Sequence, residues 1–211
     1  MFKVKYMKYF IDVVLLFFAL PLFLFFYPII SLLILIFDGT PILYSQLRVG
    51  LYGNEFKLYK FRTMSILSDD SVHQNHYENL SENKKIEPSL TPDNPIRIEN
   101  DDRITKVGNI LRKTSLDELP NIINVLIGNM SFVGPRPLVK YESDLYGKYL
   151  EERNSVKPGI TGLAQIQGRL DLSLQERLYW DLQYVKSKSI IYDFKIIIKT
   201  VYSVLSRRGA N

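Results

Sequence analysis

Apolar side chains fill residues 9–37 almost without interruption: "YFIDVVLLFFALPLFLFFYPIISLLILIF" carries a single charge, Asp12. A run well beyond ~18 apolar residues predicts a helix in a bilayer rather than a segment of a soluble core. Its length, and the lack of a small-residue cleavage site after it, argue against a secretory signal peptide. Lys3, Lys5 and Lys8 precede it and place the N-terminus on the cytoplasmic side. Pro21 and Pro28 each remove a backbone hydrogen bond within the run. Two shapes therefore stand: one tilted, kinked spanning helix, or a helix bent sharply enough to return to the side it left.

Beyond residue 37 the pattern becomes periodic. In "ILYSQLRVGLYGNEFKLYKFRTM" (42–64), Ile42, Tyr44, Val49, Phe56, Leu58, Tyr59 and Phe61 predict short strands, punctuated by Gly50 and Gly53. Residues 65–102 are polar and contain Pro88, Pro92 and Pro95, which predicts a surface excursion, partly disordered or lid-like. Ile104, Val107, Ile110 and Leu111 then recur at helical spacing, as do Leu119, Ile122, Ile123 and Leu126. Gly128 ends the second helix and "GPRP" makes a stiff turn. "VKPGITGLAQIQGRL" (156–170) predicts a loop and a short strand, and "SLQERLYWDLQYVKSKS" a helix. The last stretch, "IIYDFKIIIKTVYSVLSRR", predicts a helix with one apolar stripe, suited to a core or to a bilayer surface.

Composition adds limits. A length of 211 residues suits one domain with a small appendage. The absence of cysteine excludes disulfide and thiolate chemistry and fits a reducing compartment. Lys and Arg outnumber Asp and Glu by 27 to 22, which suits a membrane surface, a nucleotide or a nucleic acid. No cluster of basic and aromatic residues supports the nucleic acid. His73 and His76 lack an evident third ligand, so zinc is not expected.

"TSLDELPNIINVL" (114–126) sets two adjacent carboxylates, Asp117 and Glu118, between leucines. Ser115 and Glu118 have capping-box spacing, although Pro120 would then fall inside the helix. A helix starting near Asp117 instead leaves both acids beside free backbone N–H groups, where phosphate binds. Basic residues recur in constrained places: Lys60 and Arg62 around Phe61, Arg112 before the acids, Arg136 between Pro135 and Pro137, and Arg169 after Gly168. Together they suggest a phosphate-binding ring around the pair, since guanidinium grips phosphate in bidentate fashion. An Asp-Glu pair also suits Mg²⁺. Adjacent acids do not suit glycoside hydrolysis, whose carboxyls face each other across the bond.

"YKFRTM", "RITKVGNILRKTSLDELPNIINVLIGNMSFVGPRPL" and "VKPGITGLAQIQGR", in this order behind an apolar N-terminus, resemble the bacterial sugar transferases, the monotopic polyprenyl-phosphate phosphoglycosyl transferases. The resemblance covers roughly residues 8 to 205. It implies an α+β, mostly helical fold: a re-entrant membrane helix-break-helix (1–40), then a catalytic domain (41–211) with a small β element and a variable segment (65–102). It implies transfer of sugar-1-phosphate from a UDP-sugar to undecaprenyl phosphate with Mg²⁺, at the cytoplasmic face of the bacterial inner membrane. Asp117 would be nucleophile and metal ligand, and Glu118 would help position or activate the site. Lys60, Arg62, Arg112, Arg136, Arg169 and the acidic position Asp181 would surround the substrate. Membrane lipid is an implied partner, and a homodimer or downstream glycosyltransferases are further partners it allows. The family break is usually Ser-Pro; here Leu20-Pro21 and Tyr27-Pro28 stand instead, and Gln167 replaces a usual Asn. The competing expectation is a membrane-anchored scaffold that keeps the fold without turnover.

Overall fold

A computed structural model describes residues 2–65, 74–75, 77–79, 86–90, 101–168 and 171–205. These described residues are mostly helical, with two small two-stranded sheets and one long apolar N-terminal helix.

Helix α1 runs from Phe2 to Phe37, with Pro21 and Pro28 inside it. The expected break at one of these prolines is absent from this helix, which continues through both. Such prolines remove individual hydrogen bonds and can bend a helix without ending it. From Met7 to Phe37 it is long and apolar enough to cross a membrane.

One face of α1 lies along the rest of the protein. Lys8, Asp12, Leu16, Phe23, Tyr27, Ile30 and Ile34 are among the residues it turns inward, at spacings of three, four or seven. The opposite face, including Phe10, Phe17, Phe18, Leu24, Phe25 and Ile36, is exposed and apolar. Polar ties hold both ends. Near the start, Lys8 Nζ donates to Asp193 (2.7 Å), the Tyr184 hydroxyl (2.8 Å) and the Val133 carbonyl (2.9 Å). Asp12 accepts from Ser131 Oγ at 2.8 Å and the Phe132 amide at 3.0 Å. At the far end Thr105 Oγ1 donates to Asp38 at 2.8 Å, and Arg62 Nη2 donates to the Asp38 and Gly39 carbonyls.

The predicted strands form a hairpin, β1 (Leu43–Val49) with β2 (Glu55–Phe61), antiparallel and in register from Leu43↔Phe61 to Val49↔Glu55. Alternation along β2 turns Phe56, Leu58 and Lys60 to one side and Phe61 to the other. Phe61 packs on Ile30, Ile34 and Leu111, so the hairpin is clamped to α1 and to helix α2 (Lys106–Thr114). Gly108 on α2 faces Thr63 so closely that an added Cβ would stand 2.2 Å from its carbonyl oxygen. Only glycine admits that approach.

Helix α3 (Asn121–Leu126) leads to β3 (Ser131–Val133), which pairs in parallel with β4 (Gly159–Thr161). Short helices α4 (Lys140–Asp144), α5 (Leu150–Arg153) and α6 (Leu163–Gln167) surround them. Helix α6 occupies a stretch expected to be loop and strand; five residues between glycines are too short for a visible period. Helices α7 (Leu174–Ser187) and α8 (Ile190–Leu205) are the last described elements, and Ser173 caps α7 in a capping box with Glu176. Ile191, Phe194, Ile198, Val201 and Tyr202 form an exposed apolar stripe on α8.

Glycines allow the backbones of the "GPRP" and "KPG" segments to interlock. A Cβ on Gly159 would meet the Gly134 nitrogen at 2.1 Å, and one on Gly162 the Gly134 carbonyl oxygen at 2.2 Å. Gly159→Ala is expected to cost about 1–3 kcal/mol by overpacking, measured as a fall in the thermal unfolding midpoint in detergent. An unchanged midpoint would contradict that packing.

The excursion at 65–102 is not wholly superficial. Tyr77 and Ile86 are 2% and 3% exposed and pack with Leu138, Tyr146, Leu174 and Leu178. Both are isolated apolar residues in polar surroundings, so no period announced them. His73 and His76 lie outside the described residues.

Candidate active site

The acid pair sits in a sharp connection. Ser115 ends α2 in the left-handed conformation (φ 57°) and does not cap the next helix, so the expected capping box with Glu118 is not formed. Leu116–Glu118 make one 3-10 turn, and Pro120 then precedes α3, where its missing N–H costs no helical bond. The carboxylates thus lie in a tight turn between two helices. A non-glycine residue at positive φ just before them is the kind of local strain that a functional turn retains.

Asn124, fully buried on α3, fixes this turn against the hairpin: its side chain accepts from the Tyr59 amide (3.1 Å) and donates to the Lys57 carbonyl (2.7 Å). Lys60, one position beyond Tyr59, is thereby brought to the acids. Its Nζ donates to Glu118 Oε1 at 2.8 Å, and Arg136 Nη1 donates to the same oxygen at 2.7 Å. The structure therefore brings Lys60, Arg136, Asp117 and Glu118 together. Arg112 joins them electrostatically: Asp117 is its leading opposite charge, while its Nε donates to Thr63 Oγ1 at 3.0 Å.

The two carboxylates are unequal. Burial pushes Glu118 upward, but Arg136 and Lys60 outweigh burial and hold it well below the ordinary carboxylate range. Asp117 makes no hydrogen bond or ion pair with any described residue. Burial raises its carboxyl above the ordinary value; Lys60, Arg112 and Arg136 oppose that rise, and Glu118 adds to it. Glu118 is thus an anchor for two cations, whereas Asp117 is an uncommitted carboxylate under the electrostatic influence of three.

Two expected substrate residues sit elsewhere. Arg62 is 6% exposed and spends its Nη2 on the Asp38 and Gly39 carbonyls just beyond α1, so it secures the end of that helix. Asp181 is 1% exposed and paired with Arg153 at 2.8 Å. Arg169 lies outside the described residues. Arg153, Arg48 and Asn124 carry structural weight that sequence reasoning missed. An arginine in "LEERNS" and an asparagine in "NIINVL" look like surface residues until the fold buries them.

The donor set suits a small divalent ion sparsely held by protein. Among the described residues no group of three His, Cys, Asp or Glu could cage a metal. One uncommitted carboxylate, Asp117, fits the way Mg²⁺ is bound through a single acid, water and substrate phosphates.

A family model described as bacterial sugar transferase matches residues 3–207. Over 173 residues the chain is 42% identical to an undecaprenyl-phosphate galactose phosphotransferase of Salmonella typhimurium, covering 82% of this chain and 35% of that protein. It is 38% identical over 189 residues to the UDP-glucose:undecaprenyl-phosphate glucose-1-phosphate transferase of Escherichia coli, covering 86% of this chain and 36% of that protein. To the exopolysaccharide production protein ExoY of Rhizobium meliloti it is 40% identical over 200 residues, covering 90% of this chain and 80% of that protein. The chain therefore spans little more than a third of the first two relatives.

Proposed function

As the chain belongs to the bacterial sugar transferase family, we propose that it transfers sugar-1-phosphate from a UDP-sugar to undecaprenyl phosphate, with Asp117 as nucleophile. One observation carries the reading: the acid pair is divided into an anchored Glu118 and an uncommitted Asp117 facing Lys60, Arg112 and Arg136. A carboxylate is a competent nucleophile toward phosphorus once its repulsion from the phosphate oxygens is neutralised.

In the first step an Asp117 oxygen attacks the β-phosphorus of the donor. The bond to the bridging oxygen breaks, UMP leaves with that electron pair, and an aspartyl phosphosugar forms. In the second step a phosphate oxygen of undecaprenyl phosphate attacks the same phosphorus. The Asp117 carboxylate leaves, and an undecaprenyl diphosphosugar is released. Phosphoryl transfer relies chiefly on positioning and charge stabilisation. Lys60, Arg112 and Arg136 supply that charge, and Glu118 fixes two of them at a common point. Mg²⁺ held by Asp117 would add charge neutralisation on the diphosphate.

The membrane arrangement follows from the ties on α1. From Asp12 to Ile34 the helix covers ~33 Å at 1.5 Å per residue, about the thickness of a hydrocarbon core. Inward contacts along that whole length involve the same body of the protein. A straight crossing would require that body on both sides of the bilayer. This favours α1 lying within one leaflet, its exposed apolar face and the stripe on α8 toward lipid, with the site at the cytoplasmic face of the inner membrane.

Because the chain has no cysteine, Lys140→Cys and Lys148→Cys offer single exposed thiols. A membrane-impermeant maleimide is expected to label both only after cells are opened. Labelling in intact spheroplasts would contradict the topology.

The activity is tested by UMP release from UDP-galactose, UDP-glucose and other UDP-sugars in membranes supplied with undecaprenyl phosphate. Release with at least one donor, abolished by EDTA and restored by Mg²⁺, is expected. No release with any donor would overturn the reading in favour of a silent scaffold.

A further inference from the structure

Four consecutive carbonyls of the turn that presents Arg136 are held from outside it. The Pro135 oxygen accepts from the Gly159 amide at 3.0 Å, and the Leu138 oxygen from the Val49 amide at 2.8 Å. The two between them accept from guanidinium groups: Pro137 from Arg48 Nη1 at 3.2 Å, and Arg136 from the buried Arg153 Nη2 at 2.7 Å. Pro135 and Pro137 have no N–H to offer, so the turn is fixed through its carbonyls. Its one charged side chain, Arg136, is left to reach Glu118.

We propose that Arg153, held by Asp181, is a positioning residue that sets Arg136 against the acid pair. Arg153 is 2% exposed, its Nε and Nη2 both lie 2.8 Å from Asp181 Oδ2, and the Tyr146 ring centroid lies 5.7 Å from its guanidinium carbon. The planar fork lets one group bond the carboxylate and the Arg136 carbonyl at once, which a single ammonium cannot reproduce in the same geometry.

A buried ion pair kept only for stability is the competing explanation. Such pairs contribute little net stability, because desolvation offsets their attraction, and apolar residues of similar volume often serve as well. What an apolar pair cannot do is donate a hydrogen bond to the Arg136 carbonyl. Arg153 and Asp181 therefore differ from a core pair in this one respect.

The consequence for turnover rests on the reading of Arg136 as a phosphate-facing charge; the positioning itself does not. The test therefore has two arms, on full-length protein in detergent. Arg153→Met/Asp181→Leu removes the pair together and avoids stranding a buried charge. Arg153→Lys keeps the charge but not the fork. In the first arm, NMR of arginine-labelled protein follows hydrogen exchange of the Arg136 guanidinium, held in wild type by Glu118. Exchange at least ~10-fold faster is expected in folded variants, because an unfixed turn releases that contact. In the second arm, UMP release is expected to fall ~10- to 100-fold, the scale of a misplaced charge near reacting atoms.

Folded variants with unchanged Arg136 exchange would overturn the proposal, as would failure of both variants to fold, which would make Arg153 a core residue. Faster exchange with undiminished UMP release would overturn the link to catalysis. A wild-type protein that releases no UMP, with variants that still show the faster Arg136 exchange, would refute the enzymatic reading and leave the positioning intact.

Discussion

Asp117→Asn is expected to lower UMP release at least ~10³-fold, the scale set by removing a nucleophile while binding groups remain. The substitution keeps size and shape, and Asp117 makes no hydrogen bond or ion pair with any described residue. It also removes a charge that burial and Glu118 both disfavour. The thermal midpoint is therefore expected to stay level or rise while activity vanishes. That combination separates a chemical role from a structural one, because a strained active site is where function and stability oppose each other. A folded Asp117→Asn variant with wild-type release would place the chemistry elsewhere.

Arg136→Ala comes second, with an expected fall in kcat/KM of ~10²–10³, comparable to deleting one preorganised donor to developing charge. Arg136 and Lys60 converge on Glu118 Oε1, and Arg136 is among the cations opposing the rise of the Asp117 carboxyl. Truncation removes a positive charge from beside the acid pair and leaves Lys60 alone with Glu118. Arg136→Lys is expected to recover only part of the loss. A lysine restores charge but cannot offer the same planar set of donors to Glu118 and phosphate together. Full activity in Arg136→Ala, measured by steady-state UMP release, would remove Arg136 from the site.

Much of the fold was legible because its signals are local. Short strands were expected within residues 42–64, where the hairpin forms; apolar periods announced α2, α3 and α8, and α7 was also read as a helix. Of the site, the acid pair and its neighbours Lys60, Arg112 and Arg136 were marked by their unusual settings. What escaped the sequence depends on distant packing. Ser115 has a capping residue's chemistry but a left-handed backbone imposed by the turn between α2 and α3. Arg62 and Asp181 stand inside motifs that resemble the family's, yet one secures α1 and the other holds Arg153. Tyr77 and Ile86 disappear into the core from a polar segment because Leu174 and Leu178 on α7 await them. None of these outcomes has a period or spacing that could reveal it.

The account turns on a covalent bond to Asp117. Intact-protein mass spectrometry, after incubation with Mg²⁺ and a panel of UDP-sugars without lipid acceptor, tests it most directly. The expected result is a sugar-phosphate adduct on wild type that is absent from Asp117→Asn and discharged when undecaprenyl phosphate is added. Steady UMP release that requires the acceptor, with no adduct under conditions that trap the first step, would contradict the two-step mechanism.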